Sequence, residues 1–274
     1  MENHYDVLVV GAGISGIGAG YHLQTKCPKK SYAILEGRDT IGGTWDLFRY
    51  PGIRSDSDMY TLGFSFYPWK EKEAIANGPA ILKYLHETSE KFNIKEKIKF
   101  GHYVKSASWS SEKSQWELEV KTKEKNHKMT CNFIFMCSGY YSYKEGYTPD
   151  FSGIANFNGQ VIHPQKWTED IDYNNKNVIV IGSGATAVTI VPEMAKKSKH
   201  VTMLQRSPTY VVSAPAKDPI AKILQRFLPN KAAYFFVRWK NIIRQHWFFT
   251  LCKRNPKRVK DFILGQIRKE LGPS

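Results

Sequence analysis

Two glycine-rich turns are the residues whose spacing most clearly indicates chemistry. In the first, Gly11, Gly13 and Gly16 have the spacing GxGxxG, after an apolar stretch and before a helix-like one. In that context the first glycine allows a tight turn, the second lets a pyrophosphate approach the backbone, and the third lets the helix pack close to the strand. Backbone amides at the start of the helix then bind the anion. The sequence therefore predicts a dinucleotide site here.

An acidic residue completes the first motif. Glu36 lies twenty residues after Gly16, at the end of the next apolar run. A carboxylate at this place accepts hydrogen bonds from a ribose 2′-OH. Glycines of an unrelated tight turn are the alternative, but such a turn does not require the strand, the helix and the acid together.

The second turn repeats the pattern about 170 residues later, as Gly182, Ser183, Gly184, Ala185, Thr186 and Ala187. Ala187 replaces the third glycine, and a methyl group still permits close packing there. Arg206 and Ser207 follow the next strand, where an acid would otherwise stand. Because a guanidinium pairs with a 2′-phosphate, Arg206 favours NADPH over NADH, with a solvated surface arginine as the alternative.

The apolar runs place each turn inside a βαβ unit. The first unit is predicted as a strand at Tyr5–Val10, a helix to about Thr25 and a strand at Ser31–Glu36. The second is predicted as a strand at Asn177–Ile181, a helix at Thr189–Lys197 and a strand at His200–Gln205. Between them we expect a ligand-facing loop at Gly37–Trp69, an amphipathic helix at Pro79–Phe92, and an antiparallel meander of Ile98–Trp109, Gln115–Lys123 and Met129–Cys137.

A segment between the two turns carries a family resemblance. Phe157, Gly159, His163 and Trp167 have the spacing FxGxxxHxxxW, which resembles the fingerprint of type I Baeyer–Villiger monooxygenases. The related N- and S-oxidising flavin monooxygenases usually end this motif with Tyr or Phe. The resemblance extends through Gly42–Asp46, Arg49–Gly52, Arg54–Asp56 and Leu204–Pro208. A structural or domain-coupling role is expected for His163, since no acid or cysteine stands near it.

The resemblance implies FAD and NADPH as cofactors and assigns residues to each. FAD would be held by Gly11, Gly13, Ser15, Gly16, Glu36, Thr44, Trp45, Asp46, Leu47 and Val104. NADPH would be held by Gly182, Ser183, Gly184, Ala185, Thr186, Ala187, Val188, Arg206 and Ser207. Arg54, Ser55 and Asp56 would lie where flavin and nicotinamide approach, with Asp56 as a supporting catalytic acid or, alternatively, a turn cap. The family's main catalytic arginine is expected beyond residue 274.

The predicted fold class is α/β, with two Rossmann-like, three-layer nucleotide-binding domains and an antiparallel β-meander. Residues 1–140 would be the N-terminal part of an FAD-binding domain and 141–176 a connector with the fingerprint. Residues 177–274 would be an incomplete NADPH-binding domain with a basic, aromatic helical segment at 228–270. Because no later strands complete either sheet, we expect the C-terminal part of both domains to be missing from a truncated or partial sequence.

The reaction that the resemblance implies is the insertion of one oxygen atom of O2 beside a ketone carbonyl, which gives an ester or lactone. Oxidation of sulfur in thioamides or sulfides is a second expected activity. Two alternatives stay open: an N- or S-oxidising flavin monooxygenase, and an inactive nucleotide-binding remnant. The fragment by itself is expected to bind FAD weakly and to oxidise nothing.

The net charge of +15 is unevenly distributed. Residues 231–274 contain eleven Lys or Arg and two Asp or Glu, interleaved with Phe and Trp. Ala232–Cys252 has the length of a membrane span, but Arg238, Lys240 and Arg244 would each cost about 2.5–3.5 kcal/mol near a bilayer centre. We therefore expect a helix lying over the NADPH domain or, alternatively, on an anionic membrane surface. No recognisable nucleic-acid module is present, so no nucleic-acid partner is expected.

The cysteines and the N-terminus bear on location. Cys27, Cys131, Cys137 and Cys252 show no paired metal spacing, so reduced thiols and no metal site are expected. The first strand begins almost at once, which leaves no room for a signal peptide. We expect a cytoplasmic location, with membrane association through 232–252 as the open question.

Overall fold

The computed structural model of the chain describes residues 3–207, 209–212 and 215–272. Pro208 of the matched Leu204–Pro208 segment and the last two residues of the predicted NADPH-binding domain lie outside them. The chain forms two compact units. Unit 1 combines the chain up to Ile53 with Gly78–Asp172, and unit 2 combines Arg54–Asn77 with the chain from Tyr173 onward.

Unit 1 is built on a six-stranded sheet of order β3-β2-β1-β6-β5-β4. Its strands are β1 His4–Val10, β2 Tyr32–Leu35, β3 Ile98–Lys99, β4 Tyr103–Ser110, β5 Gln115–Lys121 and β6 Asn126–Met136. β1 pairs in parallel with β2 and β6, and β2 pairs in parallel with β3. β4, β5 and β6 form an antiparallel meander, so β6 belongs to both halves of the sheet.

The helices of unit 1 are α1 Ile14–Lys26, the single turn α2 Thr44–Leu47 and α4 Gly78–Lys91, with 3-10 turns at Lys95–Lys97, Ile154–Asn156 and Pro164–Lys166. Among them, α1 packs on the parallel half of the sheet, and α4 packs on α1 and α2. Ile34 is fully buried on the α1 side of the sheet, and Leu8 is fully buried on the other side in a cluster with Leu118. Burial on both faces explains the unbroken apolar runs of β1 and β2.

Unit 2 contains the parallel pair β7 Asn177–Ile181 and β8 His200–Leu204, with α5 Ala185–Met194 between them. Its other helices are the single turn α3 Met59–Leu62, α6 Pro219–Phe227, α7 Asn230–Arg254 and α8 Pro256–Leu271. α5 packs on one face of the strand pair, while Ile179, Ile181 and Leu204 are exposed on the other.

Three predicted elements were wrong in detail. Ile98–Trp109 is not one meander strand, because the chain turns at Gly101, with φ +65°, and separates β3 from β4. The helix predicted at Thr189–Lys197 begins earlier, at Ala185, because Gly184 is its N-cap, and it ends at Met194. The predicted loop Gly37–Trp69 contains α2 and α3. The other predicted strands and helices are found within a few residues of their expected ends.

The compact units divide the chain differently from the predicted domains. Residues 54–77 of the predicted FAD-binding domain group with unit 2, and residues 141–172 of the connector group with unit 1. The physical reason in unit 2 is a set of hydrogen bonds from α7 to Asp58–Gly63. The assignment of each domain to a cofactor stays a prediction.

None of the described helices is both long and apolar enough to cross a bilayer.

The four cysteines are free thiols, with Cys131 and Cys137 buried and Cys27 exposed. Burial raises the pKa of the Cys137 thiol to about 11.

Candidate functional site

The first glycine turn joins β1 to α1 and is closed by backbone contacts. Gly11 has φ +104°, and its N–H donates to the Leu35 carbonyl at 2.8 Å. A Cβ at Gly11 would lie 2.5 Å from the carbonyl oxygen of Cys137, and one at Gly16 only 1.8 Å from that of Gly11. The fold itself therefore requires glycine at both positions.

Gly13 stands in a different environment. Its φ is −78°, which any residue adopts, and a Cβ there would make an ordinary contact 3.6 Å from the Cα of Gly43. Gly13 is the N-cap of α1, and within the described chain no side chain caps that helix end. Packing within the fold does not explain the glycine, whereas close approach of a pyrophosphate to the helix amides does.

The segment predicted to run beside the flavin lies next to this turn. The Gly42 N–H donates to the Ala12 carbonyl at 3.1 Å, and a Cβ at Gly43 would lie 3.1 Å from the Cα of Gly13. Gly43 has φ +55° and directly precedes α2, which is Thr44–Leu47. The structure thus brings Thr44, Trp45, Asp46 and Leu47 together with the predicted pyrophosphate turn.

Glu36 supports the same turn from the end of β2. It is buried, and its Oε2 accepts a hydrogen bond from the Ala12 N–H at 2.8 Å. Its Oε1 accepts one from the Arg38 N–H at 2.9 Å. A carboxylate oxygen has a second lone pair, so a ribose hydroxyl can still donate to it. Sequence reasoning found the residue but missed this structural role.

Arg38 is a site residue that sequence reasoning missed. It forms an ion pair with the buried carboxylate of Asp46, which also accepts from Arg49 Nη2 at 2.7 Å. The Nη1 atom of Arg38 is buried and has no hydrogen-bond partner among the described residues. A buried guanidinium nitrogen without a partner is costly, so a ligand oxygen near it would be stabilised. The signal in the sequence is a basic residue two positions after Glu36.

Tyr143 and Val104 complete the surroundings of this site. The Arg38 guanidinium carbon lies 5.6 Å from the Tyr143 ring centre, and burial raises the pKa of the Tyr143 hydroxyl. The His102 N–H donates to the Glu36 carbonyl at 2.8 Å, which holds the start of β4 at the end of β2. The β4–β5 ladder shifts register just after Val104. Val104 therefore follows closely on a residue bonded to Glu36, and its contact with the adenine stays a prediction.

The second glycine turn, in unit 2, is more open than the first. Gly182 has φ +136°, and its N–H donates to the Leu204 carbonyl at 2.9 Å. A Cβ at Gly182 would lie 3.9 Å from the Cβ of Ala187, and one at Gly184 would have nothing within 4 Å. Ala187 is buried, so its methyl group is accommodated under the turn. Thr186 and Val188 lie in the first turns of α5, the helix that the glycines open.

The residues predicted to bind the 2′-phosphate follow β8 directly. Arg206 and Ser207 are exposed, and the Ser183 hydroxyl donates to the Ser207 carbonyl at 3.5 Å. This contact places the segment after β8 next to the second glycine turn. Both parts of the predicted NADPH site are thus adjacent within unit 2.

Arg54, Ser55 and Asp56 also belong to unit 2. Ser55 is buried; its N–H donates to the Ala76 carbonyl at 2.9 Å, and its hydroxyl accepts from the Ser57 N–H at 3.1 Å. The side chains of Arg54 and Asp56 are exposed. Backbone bonds therefore fix Ser55, while its two charged neighbours face solvent.

Helix α7 anchors this segment through both ends of α3. Arg238 Nη1 lies 2.8 Å from the Tyr60 carbonyl, 3.0 Å from that of Thr61 and 3.2 Å from that of Gly63. A cation at the C-terminal end of a helical turn is favourable. At the other end, Asp58 caps α3 and accepts from Asn241 Nδ2 at 2.9 Å. Sequence reasoning predicted a helix over the NADPH domain but not its contacts with Arg54–Asn77.

His163 has the structural surroundings expected of it. Its Nδ1 accepts a hydrogen bond from the Gln165 N–H at 3.2 Å. A Cβ at Gly146 would lie 2.1 Å from the His163 ring, so the two residues pack in direct contact. They line a cavity of 610 Å³ together with Ser142, Glu145, Tyr147, Thr148 and Lys166. This cavity lies in the connector and does not include the glycine turn.

Comparison with known proteins decides the family. Residues 5–266 match the flavin-binding monooxygenase-like family. The chain belongs to this family. It is 54% identical over 272 residues to the FAD-containing monooxygenase EthA of Mycobacterium tuberculosis, covering 99% of this chain and 56% of that protein. It is 47% identical over 272 residues to EthA of Mycolicibacterium smegmatis, covering 99% and 55%.

Solved structures agree with this membership of the flavin-binding monooxygenase-like family. An open crystal structure of cyclohexanone monooxygenase matches with a TM-score of 0.74 and 28% identity, covering 87% of this chain and 46% of that one. An oxidised steroid monooxygenase bound to NADP matches with a TM-score of 0.70 and 31% identity, covering 84% and 43%. The predicted family and the predicted α/β fold are confirmed. The chain spans about half the length of the curated relatives it matches.

Substitutions at Gly16 and Gly13 distinguish a structural role from a binding role in the first turn. We expect Gly16→Ala to destabilise the chain by about 3 kcal/mol or more, because the new methyl group overlaps a backbone oxygen. Gly13→Ala should leave thermal unfolding nearly unchanged and weaken FAD binding, as measured by flavin fluorescence titration. Equal losses of stability in the two variants would contradict this division.

The anchor on α3 is tested with Arg238→Ala. Loss of hydrogen bonds from a charged donor should reduce the free energy of unfolding by about 2 kcal/mol. Hydrogen exchange at the amides of Leu62 and Gly63 should accelerate as well. Arg244→Ala, an exposed position on the same helix, is the matched control and should change stability by less than about 0.5 kcal/mol. Similar effects of the two substitutions would disprove the anchor.

Proposed function

We propose that this chain is the nucleotide-binding part of a flavoprotein monooxygenase that uses FAD, NADPH and O2. The observation that carries the proposal is the surroundings of Gly13. We assign three features to one site: the uncapped N-terminus of α1, the space at Gly13 that packing does not explain, and Arg38 Nη1, which has no hydrogen-bond partner among the described residues. An anionic dinucleotide satisfies all three features. The family membership supports the same cofactor.

Each unit would hold one cofactor. In unit 1, the amides after Gly13 would bind the FAD pyrophosphate, Glu36 would accept from the ribose, and Arg38 would donate to a ligand oxygen. In unit 2, the amides after Gly184 would bind the NADPH pyrophosphate and Arg206 would pair with the 2′-phosphate. When bound, the two cofactors supply the redox chemistry, in which NADPH reduces the flavin and the reduced flavin activates O2.

The residues Arg54–Asp56 would serve the reaction by position and charge. Ser55 is fixed by backbone bonds, so its neighbours Arg54 and Asp56 are held at a defined place in unit 2. We propose that Arg54 orients anionic groups of the cofactors and that Asp56 is a supporting acid. The anchor from Arg238 and Asn241 would keep the segment in place when ligands bind.

For the substrate we propose a small ketone, oxidised to an ester or lactone. Two of the similar solved proteins are described as cyclohexanone monooxygenase and steroid monooxygenase, and Trp167 ends the fingerprint as in the Baeyer–Villiger branch. Sulfur in sulfides or thioamides is the proposed second target. We further propose a cytoplasmic location, in contact with a membrane surface.

Coenzyme choice provides a direct test of Arg206. Substituting Arg206→Gln should weaken NADPH binding about tenfold to a hundredfold, because a charge-assisted pair with the 2′-phosphate is lost. NADH binding should change little, as measured by titration calorimetry with both coenzymes. Arg254→Gln, exposed on α7, is the control and should leave the preference intact. An equal loss of affinity for NADPH and NADH in Arg206→Gln would count against the assignment of Arg206 to the 2′-phosphate.

The reaction class is tested by turnover. The purified chain, supplied with excess FAD, should bind it weakly, as read by flavin fluorescence, and no turnover is expected of this chain by itself. NADPH consumption and product formation would then be compared for cyclic ketones, aryl ketones, sulfides and amines. Preferential ester formation supports the proposal, and exclusive amine or sulfide oxidation favours the N- or S-oxidising class. Flavin uptake without turnover would assign this chain the nucleotide-binding role only, whereas failure to bind flavin would refute the proposal.

A further inference from the structure

Helix α7 has one face that packs within unit 2 and one face that does not. The packed face buries Ala233, Tyr234, Val237 and Asn241. The opposite face carries a stripe of large apolar side chains, each 49–62% exposed: Phe235, Phe236, Trp239, Ile243, Trp247 and Phe249. Most of this stripe follows i, i+4 spacing, as in Phe235, Trp239, Ile243 and Trp247, so it runs along the helix.

The size of this outer stripe is unusual for a surface helix. Single exposed apolar side chains are ordinary, but a contiguous row of aromatic rings indicates a binding surface. Positions 235–247 extend about 18 Å along the helix at 1.5 Å per residue. The packed face is held by Arg238 and Asn241, so α7 can keep its place while the outer stripe contacts something else.

The charges around the stripe indicate the chemistry of its partner. α7 contains six Lys or Arg and no Asp or Glu, and α8 adds five basic residues against two acidic ones. Lys253 lies with its Nζ 5.7 Å from the Phe249 ring centre, at the margin between ring and charge. Aromatic rings beside basic residues are typical of helices that lie in a bilayer interface. A second copy of the chain is disfavoured, because two strongly basic surfaces would repel each other.

We propose that the outer stripe of α7 binds an anionic lipid surface, with the helix parallel to the membrane plane. The Trp and Phe rings would enter the headgroup boundary, and the basic side chains of α7 and α8 would contact lipid phosphates. This names the surface and the lipid charge for the location proposed above. It does not depend on FAD binding or on the oxidation chemistry.

Vesicle flotation tests the proposal with this chain. The probes are vesicles of phosphatidylcholine, with and without phosphatidylglycerol, at low salt and at about 0.5 M salt, where the Debye length is about 4 Å. The chain should float with the anionic vesicles at low salt, bind the neutral ones much less, and lose binding at high salt. Tryptophan fluorescence should also be quenched by brominated lipid.

Two variants separate the stripe from exposed aromatic surface in general. Trp239→Ser combined with Trp247→Ser should reduce vesicle partition about tenfold, because two rings leave the interface. Trp109→Ser in unit 1 is the matched control, since Trp109 and Trp239 are both 49% exposed, and it should bind as the unchanged chain does. Circular dichroism and FAD titration would show that the fold and the cofactor site of each variant are intact.

Three results would overturn the proposal. The first is absence of binding to anionic vesicles, which would indicate that the stripe binds a protein surface. The second is equal binding to neutral and anionic vesicles, and the third is an equal loss in the Trp109 control. Binding of vesicles without binding of FAD would refute the proposed function and leave this inference standing. Binding of FAD without binding of vesicles would refute this inference and leave the proposed function standing.

Discussion

The contact between the start of α1 and the turn before it determines the organisation of unit 1. A side chain at Gly16 would coincide with the backbone oxygen of Gly11, so the helix can begin here only because no side chain is present. This approach sets the helix against β1. Gly42 and Gly43 then bring α2 against the same turn. The predicted flavin site depends on these backbone contacts more than on any side chain.

The two glycine turns show how one motif tolerates different degrees of crowding. In the first, the backbone excludes a methyl group at Gly11 and Gly16, whereas in the second a Cβ at Gly182, the counterpart of Gly11, would have only the Cβ of Ala187 within 4 Å among the described residues. Ala187 is accommodated because the second turn is wider. The first turn is also supported by Glu36, whose carboxylate accepts from the Ala12 N–H. Both turns also make a backbone bond to the next strand, from Gly11 to Leu35 in the first and from Gly182 to Leu204 in the second.

The parts of the fold that sequence predicted well are those with local causes. Apolar runs indicated β1, β2, β7 and β8, and the motif spacing indicated both turns. The turn at Gly101 was missed because one left-handed glycine inside an otherwise strand-like run gives little signal. Arg38 was missed because its importance arises from burial beside Asp46, which spacing does not reveal.

The sequence did not predict the long-range contacts, for a related reason. Asn241 contacts Asp58 across 183 positions of chain, and no local pattern relates these two residues. The composition of a loop rich in glycine and aromatic residues predicts that it faces a ligand, but it does not predict which unit contains the loop. Its membership of unit 2 is decided by Arg238 and Asn241, which are ordinary polar residues of a basic helix.

The insertion of Arg54–Asn77 into unit 2 has a consequence for synthesis on the ribosome. The N–H of Gly78 donates to the Ile53 carbonyl at 2.8 Å, so unit 1 closes the base of this excursion with its own backbone. The excursion leaves the exit tunnel early, but Arg238 and Asn241 are translated more than 150 residues later. At 5–20 residues per second, its buried Met59 and Tyr60 stay without their helix for roughly ten seconds or longer. During that interval both apolar side chains lack the helix that later covers them.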